Sequence, residues 1–555
     1  MCEASGGLGA HTASRMWNAL EGHRSGWELR FAQGSGRSRG MSWDEFRREA
    51  QRSAAGLRAL GVNPGSAVAC VVTNCFAAST AVVGVWLAGG TVVSAPTLAR
   101  GMSPEQYLRQ LERICEDSSS ELLLMEAQYA AAIPAEAGLR VTPIAFEAIA
   151  RAGSIDPAPP TAAQPAFIQY SSGSTSAPRG CVLSAGAVER HLDMLEERLE
   201  LDPETDRGAL WLPLSHDLGF FGALMLCVFK AIPLFLGSPQ RFLRSPATWF
   251  DDCHRVGATI TAGPNFGLAL AARAARQCAP GPSPMRKCVL GGDRIEASTL
   301  RDALASLGPN GLAPESLMPA YGLAEAVLAV TMTEVASPPR TYPASAGALV
   351  EGQPIPARGG DGQQPVIELV SAGPPLSGVE LRIDGPGDVG EICIRSPSLT
   401  DGYVANSDAT RQALIDGELH SRDLGFIDGG ELYVLGRLDD MISVAGRKIW
   451  ARDIETAVAE LPAVRRGNCA MVDVLDGDRP RMVVMVETSN GAGDARTLGR
   501  DVQRVASAVS GVRIDELMLL APGTLPKTPS GKISRFRCRD LALRDDPAPA
   551  VRMSL

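Results

Sequence analysis

The apolar positions of this chain fall into two kinds of pattern. Through the first 150 residues, amphipathic stretches such as "WDEFRREAQRSAAGLRALG", closed by Gly61, alternate with short β-branched runs such as residues 68–72. Helices interleaved with strands are predicted, an α/β layer architecture. Residues 67–96 lose their polar face altogether and contain no charge. By length alone such a stretch could cross a bilayer, yet Thr73-Asn74 and Gly89-Gly90 interrupt it. The pattern reads as strand, helix, strand in a parallel sheet buried on both faces, where near-continuous apolarity is expected.

A Pro/Ala-rich connector, "SIDPAPPTAAQP", leads to a strand predicted at residues 167–170, and α/β segments continue to about residue 329. Residues 334–365 hold too much Pro and Gly for a long helix or strand and read as an insertion or exposed loop. Short strands follow, "VELRI", "GEICIR" and "GELYVLG", the pattern of a β-rich subdomain. Beyond Arg437 comes a compact α+β stretch: a helix from Asp453, strands "NCAMVDV" and "RMVVMVET", another helix, and the strand "ELMLLAP". The expected organisation is a large N-terminal domain, residues 1–436, with two α/β layered sheets and a β-rich subdomain. A small mobile α+β domain, residues 437–555, follows it, with the turn "GRLDDM" as the boundary.

Composition narrows the class. A chain of 555 residues with 45% apolar content can build more than one core. Its net charge of −9, from 62 acidic against 53 basic residues, argues against nucleic acid or an anionic membrane as partner. Twelve cysteines are scattered singly from Cys2 to Cys538, without a CxxC pair or zinc-ligand spacing. They read as reduced thiols of a cytoplasmic protein, and the first residues carry no secretory pattern.

Three short patterns are decoys. Gly36-Arg37-Ser38-Arg39-Gly40 matches GxSxG but sits in the basic, Gly-rich "GSGRSRG", which reads as a solvated turn rather than a nucleophile elbow. The GxGxxG at residues 385–390 lies between two predicted strands, so a hairpin turn takes the place of the helix N-terminus a pyrophosphate needs. "SGKIS" at residues 530–534 has Pro526 where a P-loop requires its first Gly.

The stretch "FIQYSSGSTSAPRG" carries more chemistry. Ser171, Ser172, Gly173, Ser174 and Thr175 leave the predicted strand as a run of hydroxyls and unhindered backbone N–H groups, which can converge on phosphate oxygens. Alone, it reads equally as a phosphate loop or a flexible linker.

This loop resembles the ATP-phosphate loop of the adenylate-forming superfamily of acyl-CoA synthetases, peptide-synthetase adenylation domains and luciferases. Ser176 stands for its usual Gly and Arg179 for its usual Lys. The resemblance recurs in order in "WLPLSHDLGFFG", "RFLRSPATWF", "TAGPNFGLAL", "PAYGLAEAVLAVT", "SRDLG", "GRLDDMISVAGRKIWARDIE" and "LPKTPSGKISR". The wording is most similar to fatty acyl-AMP ligases.

The resemblance implies a role for each matched residue. Tyr321 packs on adenine with Gly322 allowing close approach, and Gly292 and Asp293 line the adenine, although Asp293-Arg294 replaces the common Glu-Pro. Asp423 takes the ribose hydroxyls, with Ser421-Arg422 in place of Thr-Gly, and Arg437 lies near ribose and phosphate. Ser215, His216, Asp217, Gly219, Asn265 and Phe266 form the acyl pocket, His216 as a wall or gate residue beside the carboxylate. Glu325 holds Mg²⁺, a hard cation suited to carboxylate and phosphate oxygens. Lys532 neutralises charge growing on the α-phosphate, and Asp439 is a hinge.

The implied reaction is ATP- and Mg²⁺-dependent activation of a carboxylic acid to acyl-AMP, then transfer to a thiol of CoA or a carrier protein. A CoA ligase for a bulky acid and a non-catalytic nucleotide-binding member of the fold are the alternatives. The small residues 263–270 would admit a bulky acid as readily as a straight one, and a homodimer is left open.

Overall fold

The computed structural model describes residues 20, 24, 26–33, 37–98, 102–133, 139–151, 153, 155–170, 179–275, 284–345, 366–444, 447–476, 479–488, 495–528, 532–544 and 550–555. Ser171, Ser172, Gly173, Ser174 and Thr175 lie outside them, as do residues 346–365 of the Pro/Gly-rich segment.

The charge-free stretch folds as read. The strands Ala67–Val71 and Thr91–Ala95 pair in parallel, and the helix Phe76–Leu87 between them is buried from Ala78 to Leu87. A helix apolar all round must be covered all round, and here it packs on the amphipathic helix Trp43–Ala59, whose own start is a capping box of Ser42 and Glu45. No helix among the described residues is long and apolar enough to cross a membrane.

Two layered sheets carry the N-terminal part. The first, in spatial order, runs Gly402–Tyr403, Gly180–Ser184, Pro165–Tyr170, Thr91–Ala95, Ala67–Val71, Leu122–Met125 and Pro143–Ala145. The second has eight strands, with Gly208–Leu210, Ile260–Gly263, Lys287–Leu290 and Leu317–Gly322 parallel at its centre. One apolar core joins the two, rich in aromatics where Phe167, Phe220 and Phe221 meet at centroid separations of 4.5–5.1 Å. The predicted β-rich subdomain is a five-stranded antiparallel sheet built on Glu418–Asp428.

The smaller C-terminal part has its own four-stranded sheet, Val464–Asp476, Arg479–Thr488, Glu516–Leu520 and Ala550–Ser554, and its own apolar clusters. The last strand was not anticipated: five residues after a run of charge give little signal, and it is pairing with Glu516–Leu520 that fixes it.

Two other expectations need correction. "GSGRSRG" is not a turn along its whole length, because Arg37–Ser42 forms an edge strand antiparallel to Glu28–Gln33. An edge strand tolerates that polar composition since one side stays in water, and Ser38, paired with Ala32, is no elbow. The Pro/Gly-rich segment likewise contains a short strand, Thr341–Ser345, which pairs with Val366–Val370. The GxGxxG stretch does join two antiparallel strands, Glu380–Asp384 and Gly390–Arg395.

Candidate active site

A cavity of about 2020 Å³ runs between the two N-terminal sheets and opens against the C-terminal part. Ser215, His216, Asp217, Asn265, Phe266, Gly292, Asp293, Tyr321, Gly322, Glu325, Asp423, Arg437 and Lys532 all line it. The folding thus gathers around one cavity residues that are scattered over more than three hundred positions of sequence.

One end is built on Asp423. Its Oδ2 accepts the Tyr321 hydroxyl at 2.6 Å and its Oδ1 accepts Arg437 Nε at 3.1 Å. Arg437 is its partner across the antiparallel ladder, so pairing of strands fixes the ion pair. Burial first, then the neighbouring Asp423 carboxylate, raises the Tyr321 phenol well above its ordinary range. Arg437 is raised as well: burial alone would lower it, and the same carboxylate outweighs that. The approach to Asp423 is unusual. Arg422, at φ 59°, occupies the left-handed region, and the Ser421 hydroxyl accepts the Asp423 N–H at 3.0 Å. The Arg therefore keeps a backbone shape that glycine adopts freely.

Gly322 is required by its own chain: a Cβ there would meet Leu328 O at 1.8 Å. The tight hairpin that demands it also sets the 3-10 turn Ala324–Ala326, and so Glu325. Glu325 Oε1 accepts the Tyr403 hydroxyl at 2.7 Å, and the Arg179 guanidinium lies over the Tyr403 ring at 5.6 Å. The Cys181 thiol, buried beside Glu325 and Asp217, is raised well above its normal range by burial and then by those two carboxylates. It is therefore no nucleophile.

His216 caps the short helix Asp217–Gly219, and its Nδ1 contacts Asp217 Oδ1. Burial pushes the Asp217 carboxyl up, but His216, Lys532 and the Leu218 N–H together hold it below the ordinary carboxylate range. Asp293 behaves alike: burial raises it, while Arg452 and then Lys532 lower it further than burial lifts it. The Lys532 charge therefore acts on both sides of the cavity. Its loop is closed by Thr528, which donates its N–H to Lys532 O at 2.7 Å and accepts the Lys532 N–H at 3.2 Å. Gly219, expected in the acyl pocket, does not line the cavity: a Cβ there would meet Pro213 O at 2.2 Å, so the glycine keeps the helix tight against the segment before it. Asp439 lies in the 3-10 turn Leu438–Asp440.

Apolar side chains also line the cavity, among them Leu195, Leu199, Leu210, Leu226, Cys227 and Ile260. Of the small residues 263–270, Pro264 and Ala269 line it too, whereas the two glycines do not. A Cβ on Gly263 would lie 2.3 Å from the Trp249 indole, and one on Gly267 would lie 2.9 Å from that of Trp211. These glycines make room for rings, with Trp211 stacked on Phe242 at 3.7 Å, rather than for a bulky ligand.

Sequence reasoning passed over three residues of this site. Asn74 donates to Leu212 O at 2.9 Å and Gly237 O at 2.8 Å, and accepts Leu214 N–H at 3.0 Å, pinning the segment that carries His216. A lone Asn inside an apolar run was the available signal. Tyr403 and Arg452 gave none, since their partners are distant in sequence. Cys393 and His420, together with Asp384, place candidate ligand atoms within 4.8 Å of one another outside the cavity. Arg382 donates to Asp384 at 2.7 Å and to Glu418 at 2.6 Å, so a guanidinium already supplies the positive charge there.

The AMP-binding enzyme family matches residues 21–404, and the chain belongs to this family of ATP-using, adenylate-forming ligases. Its relatives include the long-chain-fatty-acid–AMP ligase FadD26 of Mycobacterium tuberculosis, 32% identical over 405 residues, covering 67% of this chain and 69% of that protein. The medium-chain-fatty-acid–[acyl-carrier-protein] ligase JamA of Moorena producens is 29% identical over 397 residues, 67% of each chain. A solved structure from studies of the fatty acyl-adenylate ligases of E. coli and L. pneumophila shares the fold, with a TM-score of 0.84 at 23% identity over 95% of this chain and 96% of that one.

Proposed function

We propose that this ligase activates an aliphatic carboxylic acid as its acyl-AMP and passes the acyl group to the phosphopantetheine thiol of a carrier protein. A single observation carries the reading: apolar side chains and the polar groups Asp217, Glu325, Asp423, Arg437 and Lys532 line one cavity. The acid carboxylate, already ionised, attacks the α-phosphorus of ATP, the bond to the bridging oxygen breaks, and pyrophosphate leaves. No side-chain nucleophile is required, so catalysis is positioning and charge stabilisation. Asp423 receives the ribose hydroxyls, since a carboxylate offers about four acceptor positions and two are used by Tyr321 and Arg437. Tyr321, Gly292 and Asp293 flank the base, and residues 171–175 with Arg179 meet the phosphates. Lys532 balances charge on the α-phosphate. Glu325 has the oxygen chemistry to hold Mg²⁺, which would shield the pyrophosphate. A thiol then attacks the acyl carbon and AMP departs, with residues 437–555 moving about Asp439 between the two steps.

The carrier-protein acceptor is supported by the likeness to JamA, and the aliphatic acid by that same likeness and by the apolar side chains that line the cavity. Pyrophosphate release screened over linear, aryl and polycyclic acids tests the first step, with linear acids expected to be fastest. ATP binding without pyrophosphate release on any acid would overturn it. Mass measurement of acylated carrier protein against acyl-CoA tests the acceptor.

A further inference from the structure

Two cores meet beside the nucleotide end of the cavity, and beside the Trp450 ring the contact between them carries a cluster of charge. From the N-terminal part come Asp293, Arg294 and Glu296, which follow the strand Lys287–Leu290; from the C-terminal part come Arg452 and Asp453, in the first turn of the helix Ala451–Ala459. Arg452 NH1 donates to Asp293 Oδ1, and its NH2 donates to Arg294 O at 3.1 Å. Arg294 NH2 in turn lies 3.5 Å from Asp453 Oδ1, while its NH1 donates to Leu435 O at 3.3 Å. Glu296 Oε1 sits 3.4 Å from the Nε of both arginines.

The order of charges is what gives this contact its meaning. Acid then base on one side faces base then acid on the other, so both pairs form in one register only. A slip of one position would set Asp293 against Asp453 in one direction or Arg294 against Arg452 in the other, and like charges in a half-buried interface are strongly disfavoured. Apolar packing alone would not discriminate so sharply. Arg535, just after Lys532 in the chain, donates to Glu455 of the same helix Ala451–Ala459 at 3.1 Å, so the register of this contact and the reach of that lysine are set together.

We propose that the crossed pairs Asp293–Arg452 and Arg294–Asp453 are a register lock that seats the C-terminal part for adenylation, with Arg452 as a positioning residue for Lys532. The inference rests on the adenylation reading above. It also accounts for the Asp-Arg at 293–294, where the family resemblance leads one to expect Glu-Pro: the arginine reaches across to the other part of the molecule.

The test uses the full chain with the Arg452→Gln, Asp293→Asn and double variants, and Arg452→Lys as the conservative control. Arg452→Gln is expected to lower kcat for pyrophosphate release about tenfold to a hundredfold, the scale of an ångström-level misplacement, while Kd for ATP stays near its wild-type value. The double variant is expected to be little worse than either single one, as for residues acting in one contact, and Arg452→Lys to recover much of the rate. Amide hydrogen exchange should speed up in Ala451–Ala459 and around residues 291–296, with the two cores unchanged. Wild-type turnover in Arg452→Gln, or effects that multiply in the double variant, would overturn the lock. If the wild-type chain adenylates none of the acids offered, the adenylation reading fails, and the exchange comparison still decides the lock: unchanged exchange at the contact refutes it.

Discussion

Tyr403 and Glu325, 78 positions apart, share a hydrogen bond of 2.7 Å. The bond exists because the two-residue strand Gly402–Tyr403 pairs with Gly180–Ser184, which sets Tyr403 opposite Cys181 at the sheet edge. A carboxylate held this way keeps one orientation toward the cavity. Removing only the phenol oxygen, Tyr403→Phe, is expected to raise the Mg²⁺ concentration for half-maximal pyrophosphate release about tenfold, the usual scale for a group that orients a metal ligand. A magnesium titration of both proteins checks this, and an unchanged midpoint would remove Tyr403 from the role.

Lys532→Ala should lower the rate of acyl-AMP formation by about 10²–10³ or more, in line with loss of a preorganised charge at a developing anion. Calorimetric ATP affinity should stay within a few-fold of wild type, because Tyr321, Asp423 and Arg437 remain. A parallel loss of ATP binding would assign the lysine to nucleotide binding instead.

Arg422 holds a left-handed φ of 59° next to Asp423. For a residue with a Cβ that conformation costs about 1–2 kcal/mol, which glycine does not incur. Arg422→Gly is therefore expected to raise the unfolding free energy by about 1 kcal/mol, measured by denaturant melts, with ATP affinity retained. Destabilisation would mean that the contacts of the arginine outweigh the backbone strain.

His191 is fully buried; its Nε2 accepts Ala329 N–H at 3.3 Å and its Nδ1 lies 3.3 Å from Ser398 Oγ. Burial lowers its pKa to about 3. Since an unfolded histidine titrates near about 6.5, the neutral buried ring contributes full stability above that pH and loses it as pH falls toward about 3. The decline is at most about 1.4 kcal/mol per pH unit. Urea midpoints from pH 7 to pH 4 should fall less steeply for His191→Gln than for wild type, and equal slopes would refute the assignment.

Much of this was legible in the chain where a local pattern had a single physical solution. The charge-free residues 67–96 could only be covered strand and helix once Asn74 and the glycine pair Gly89-Gly90 argued against a span, and the hairpin at 385–390 announced itself by its flanks. The ordered motifs brought Tyr321, Glu325, Asp423 and Lys532 to notice. What stayed hidden was pairing across distance. Nothing near Tyr403 points to Glu325, and nothing near Arg452 points to Asp293, 159 positions earlier. At residues 263–270 the small side chains read as room for an acid, and Pro264, Asn265, Phe266, Ala269 and Leu270 do line the cavity. Gly263 and Gly267 instead face Trp249 and Trp211, a packing that only the fold defines.

Gly436 ties these observations to the build of the enzyme. At φ 155° it lies under the Trp450 ring, which a Cβ would approach to 2.9 Å, and it immediately precedes Arg437, the partner of Asp423. The seam between the two parts is thus not a neutral linker but part of the cavity wall, through Gly436, Arg437 and Trp450. A chimaera that exchanges the C-terminal part between relatives would need its splice point after Arg437. It would also have to bring an indole that fits the bare glycine, and a helix start whose charges match Asp293 and Arg294. Interchangeability in this chain is limited by a handful of side chains at the graft site, not by the fold of either piece.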